Sequence, residues 1–145
     1  MPDPGTLSTV ASIIAGFGIA TIPFRLQREI HMQAKGETVW LPWADWLVIS
    51  ATIISLLFGV LPLVAVPQSP TMHAISAAAA TGACILLIGY PFSILSHYRL
   101  SFAKGRTGKR ENPEPAEKFF VITTAIFAAA GTAASLVTFL CIAAA

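Results

Sequence analysis

The sequence predicts an all-α integral membrane protein: a four-helix transmembrane bundle that takes up residues 1–145 as a single domain. Three observations predict it. First, Trp46 to Tyr98 contains no Asp, Glu, Lys or Arg. A soluble domain does not hold so much uncharged sequence together, because each surface helix needs a wet face. Second, 55% of the chain is hydrophobic and only 11% is charged, where soluble domains carry about 25% charged residues. Third, all nine Lys and Arg fall in two short segments, Arg25 to Lys35 and Arg99 to Lys118.

The first span is expected over residues 6–24. A signal peptide would need a positive n-region and a cleavage site. Here the start carries Asp3 and no Lys or Arg, so the segment is read as a mature span. Ser12, Gly16 and Ala20 recur four apart, a spacing that lets helix backbones approach closely in lipid. Residues 25–42 form the first basic loop. Arg25 and Glu29 are four apart, Leu26 and Ile30 share a face, and a short helical extension ending at Gly36 is expected.

Trp40, Trp43 and Trp46 mark an interfacial anchor, since Trp prefers the headgroup level. Asp45 falls in the first turn of the next helix, where a negative charge complements the helix dipole. Its Trp neighbours place it at the surface. The second span is expected over 43–66, followed by the outer turn Val66 to Thr71. Ser69 is a suitable N-cap and Pro70 a suitable first residue for the third span, 71–97. The run Ala77 to Ala83, with Ala80 at its centre, is too narrow to face lipid along its whole length. Gly89 and Pro91 are expected to bend its inner third.

The second basic loop, 98–118, holds Lys104, Arg106, Lys109 and Arg110. These four, with Arg25 and Arg28, are candidate contacts for anionic headgroups, each worth about 1 kcal/mol near such a surface. Gly105, Gly108, Pro113 and Pro115 forbid a continuous helix through the loop. The fourth span is expected over 119–143, with Ala125, Ala129 and Ala133 four apart.

Cationic loops face the cytoplasm. Both basic segments fall on one side, as alternation through four spans requires. Both termini are therefore expected outside, in a membrane of the bacterial inner or plasma membrane type. Ile22-Pro23-Phe24 followed by Ala34-Lys35-Gly36 resembles Tyr90-Pro91-Phe92 followed by Ala103-Lys104-Gly105. A parallel internal repeat would make Pro23 and Pro91 matched breaks around a pocket.

Chemistry-bearing constellations are sparse. No acid, base, Asn or Gln falls inside the four expected hydrocarbon cores, which argues against a proton-coupled carrier. His31, His73 and His97 lack the carboxylate or Cys partners of a metal site. No cofactor is expected. Cys84 and Cys141 are about 15 Å apart in expected depth, too far for a bridge, and are read as small buried residues. Phosphate-binding, nucleophile-elbow and zinc-protease motifs are absent, and nucleic-acid binding is not expected.

Length and four-span shape resemble the membrane-associated eicosanoid and glutathione metabolism family. The likeness stops there. That family's Arg, Asn and Glu signature after the first span meets only Arg25, Arg28 and Glu29 here, with no Asn. Nor does the first span carry the Glu that small multidrug carriers use. The sequence therefore points to an oligomeric channel or transport-type protein without proton coupling. The alternative is a non-enzymatic accessory subunit of a larger membrane complex. An intramembrane enzyme ranks last. The expected partners are the bilayer, further copies of the chain and, under the alternative reading, another membrane protein.

Overall fold

The computed structural model describes residues 3–34, 43–97 and 114–144. All the regular structure there is helical. Helix α1 spans Pro4–Ala34, α2 spans Asp45–Ala65, α3 spans Pro70–His97 and α4 spans Glu114–Ala144. Each is long and apolar enough to cross a bilayer, whose hydrocarbon layer of about 30 Å needs roughly 20 helical residues.

The ends of the helices follow local chemistry. Asp3 caps α1: its carboxylate accepts from the Thr6 N–H at 2.9 Å. The short turn after α2 is closed by Ser69 N–H donating to the Val66 carbonyl at 3.2 Å. Ser69 then opens α3, its Oγ accepting from Met72 N–H at 3.4 Å, with Pro70 in the first helical position. Both features match the sequence reading. Helix α1 continues through the expected extension as far as Ala34, and α1 and α3 run through Pro23 and Pro91 without interruption.

Two boundaries differ from expectation. Helix α4 begins at Glu114, inside the segment read as loop. Pro115 is no obstacle there, because the first turn of a helix has no intrahelical partner for its N–H groups. Helix α2 is not uniform: Ser55–Val60 winds as a π-helix. Leu61 N–H reaches back to the Leu56 carbonyl. Pro62 follows directly, and a proline disrupts ordinary helical pairing behind it. Ser76 of α3 donates to the Gly59 carbonyl at 2.7 Å, so this irregular backbone is supported from a neighbouring helix.

Helix α3 is the axis of the bundle and touches every other helix, while α4 packs almost wholly on α3. The inner faces are built from small residues. Ala11, Ala51, Ala74 and Ala83 are fully buried. Ile14, Leu47, Ala51, Ala83, Leu86 and Ala128 form one cluster, and Leu7, Leu63 and Ala77 a second. The large apolar side chains point outward: Phe17, Phe24, Phe58, Val64, Ile126 and Phe127 are more than half exposed. That inversion is expected where lipid is the solvent and close backbone packing holds helices together.

Candidate functional site

Glycines admit threonines at three helix crossings. A Cβ at Gly18 of α1 would collide with Thr52 of α2; one at Gly82 or Gly89 of α3 would collide with Thr132 or Thr124 of α4. Thr52 and Thr132 each donate to the carbonyl four residues back, at 2.8 and 2.7 Å. The hydroxyl is thus satisfied within its own helix, and its oxygen is the atom that fills the notch. Thr81 and Ser135 add a hydrogen bond across α3 and α4 at 3.2 Å.

At the end of the bundle where α1 and α3 finish and α2 and α4 begin, charged residues gather. The tripeptide Trp43-Ala44-Asp45 is the hub. Asp45 Oδ1 accepts from Arg25 Nε of α1 at 2.9 Å, in a partly buried ion pair. The Ala44 N–H donates to Glu117 Oε1 of α4 at 2.7 Å. Lys118 Nζ lies 4.6 Å from the centre of the Trp43 ring, within cation–π range. Consecutive residues of α4 therefore grip consecutive residues at the start of α2. Ala44 supplies no side-chain cap to α2, and the Glu117 carboxylate takes up one N-terminal N–H from outside the helix.

This hub corrects three expectations. Asp45 does more than sit in the first turn of α2, because it also holds α1 through Arg25. Glu117 is fully buried, although the sequence places it in a solvated loop. Arg25, read as a headgroup contact, spends its Nε on Asp45.

The other expected site residues scatter. Ser12, Gly16 and Ala20 lie on the exposed face of α1, and a Cβ at Gly16 would meet nothing. Ala125, Ala129 and Ala133 lie on the exposed face of α4, whereas Ala80 is buried. Pro23 and Pro91 are both exposed. Arg28 and Trp46 are exposed and Trp43 is half-buried. Trp40, Lys104, Arg106, Lys109 and Arg110 lie outside the described residues. Both cysteines are free; Cys141 is exposed rather than buried as expected. His73 bonds to the Pro67 carbonyl at 2.7 Å across the turn between α2 and α3, and His31 is exposed. Among the described residues no group of three His, Cys, Asp or Glu could hold a metal ion.

Comparison with family models, curated proteins and solved structures finds no match.

Proposed function

We propose that the chain is the subunit of a membrane assembly of transport type, joined to its neighbours through α4 and the small-residue face of α1. The observation that carries this reading is the imbalance between α3 and α4. The apolar window of α3 is 44% buried within the chain, that of α4 only 6%. A helix rich in Ala is poorly suited to face lipid on all sides but one, since small side chains gain most from another helix. Ala125, Ala129 and Ala133, exposed and four apart, offer such a contact. The described interior is filled by Ala, Leu and Ile, so a pathway would run between subunits.

The asymmetry of the cationic residues supports an orientation with both termini outside and the Arg25–Asp45 and Glu117 hub at the cytoplasmic rim. Native mass spectrometry from nanodiscs, with Cys crosslinking at Ala129, tests the assembly; flux into liposomes tests the transport role. A monomer that forms no crosslinks contradicts the assembly. A second reading, an accessory subunit, is favoured by the outward face of α4, where Ile122, Ile126, Phe127 and Val137 are exposed apolar residues that would line a water path poorly. Co-purification with a stoichiometric partner, and no flux by the chain alone, would support it.

A further inference from the structure

The two helical hairpins, α1 with α2 and α3 with α4, are built to one plan. Ala44-Asp45 stands at the start of α2, followed by Thr52, Ile54 and Gly59. In α4, Ala116-Glu117, Thr124, Ile126 and Gly131 stand at the same spacing. The contacts repeat with the residues. Thr52 fills the notch at Gly18 of α1, and Thr124 fills the notch at Gly89 of α3. Gly59 comes against Ala11 of α1, and Gly131 against Ile85 of α3. Matching Gly18 to Gly89 also matches Ala11 to Gly82, and Gly82 likewise meets the fourth helix, through Thr132. Pro23 then falls on Ile94, so these contacts, and not the Pro-Phe strings, define the register. Helices α1 and α3 run toward the hub and α2 and α4 away from it, so the second hairpin repeats the first in the same direction, as a parallel repeat does.

Within the chain the hairpins meet through α2 and α3. Leu47 and Ala51 of α2 share a buried cluster with Ala83 of α3, and Ile54 and Leu87 pack against it. Carried one hairpin forward, Leu47, Ala51 and Ile54 fall on Phe119, Thr123 and Ile126 of α4. Carried one hairpin back, Ala83 and Leu87 fall on Ser12 and Gly16 of α1. Both matching faces are open in the single chain: Phe119 and Ile126 are 65% and 64% exposed, Ser12 and Gly16 are exposed, and a Cβ at Gly16 would meet nothing. We propose, resting on the reading that the chain assembles with itself, that α4 of one copy packs on α1 of the next as α2 packs on α3 within the chain. The occupant is a second copy because each open face is the counterpart of one already covered inside the chain by a helix of the matching design. The contact joins two different faces, so it is head to tail, and contacts of that kind form a ring when the rotation closes. An axis along the membrane normal keeps every copy in one orientation. The α4 side of the contact lies on Phe119, Thr123 and Ile126, beside the stripe of Ala125, Ala129 and Ala133.

The test is oxidative crosslinking of the full chain in membranes, in a Cys84→Ala/Cys141→Ala background. Ser12 and Thr123 are the positions to pair, because they match Ala83 and Ala51, both fully buried within the chain. Two differently tagged chains, one carrying Ser12→Cys and the other Thr123→Cys, are co-expressed and oxidised with copper phenanthroline. A crosslink joining the two tags is expected, and none in membranes that hold either variant alone. Self-crosslinking of either variant alone would overturn the proposal, because it marks a two-fold contact in which the same face meets itself. So would the absence of a mixed crosslink from a chain that native mass spectrometry shows to be an oligomer. In both of those outcomes the assembly itself stands; a monomer by native mass spectrometry, with no mixed crosslink, removes the assembly and this contact together.

Discussion

Gly82 and Gly16 are the same residue type with opposite duties. Gly82 is a notch for Thr132, while Gly16 opens onto empty space. Gly82→Leu should therefore destabilise the α3–α4 pair by about 1–3 kcal/mol, the usual cost of overpacking, measured by unfolding in mixed micelles. Gly16→Leu should leave the isolated subunit's stability within about 0.5 kcal/mol, yet weaken assembly if α1 contributes to the subunit contact. Sedimentation in density-matched detergent reads that second effect. Glu117→Ala should cost about 1–3 kcal/mol, because it leaves the buried Ala44 N–H without its acceptor. Glu117→Gln should cost less. These roles were not legible in the sequence. Gly82 sits in a run of small residues where every position looks alike, and Glu117 is defined by a contact 73 residues away.

Helices were legible where composition alone decides them. Four uncharged runs of sufficient length became four helices, and Ser69-Pro70 opened α3 as its chemistry requires. The start of α4 was not, because Pro113 and Pro115 read as helix breakers while Pro115 falls in a first turn that tolerates it. Nor was the π-helical segment Ser55–Val60, since a change from four-residue to five-residue pairing leaves hydropathy untouched. Gly59 and Pro62 were the available signals. The segment makes its own prediction. Ser76→Ala removes the hydroxyl that donates to the Gly59 carbonyl and should lower stability by about 0.5–1.5 kcal/mol. Hydrogen exchange should quicken around Ser55–Val60 more than elsewhere in α2; a uniform change would count against a local support role.

The whole molecule is a three-helix core with a fourth helix laid against one side. Its core is narrow and its outside is bulky, the reverse of a soluble bundle. That arrangement explains why the α4 window can be only 6% buried and still belong to a stable fold: α4 is held by two glycine notches and by the grip of Glu117 and Lys118 on the start of α2. It also fixes what each end of the bundle is for. One end carries a tight turn closed by Ser69 and His73; the other carries the hub, with Arg25 and Lys118 in it.

The central claim is that four rods cross a membrane with the two cationic segments on the cytoplasmic side. Labelling with a membrane-impermeant maleimide tests it most directly, using single cysteines at Gln68, Lys35 and Lys104 in a chain carrying Cys84→Ala and Cys141→Ala. Intact cells should label the cysteine at 68 at once and those at 35 and 104 only after lysis; labelling at 35 or 104 from outside, with 68 protected, would contradict the account.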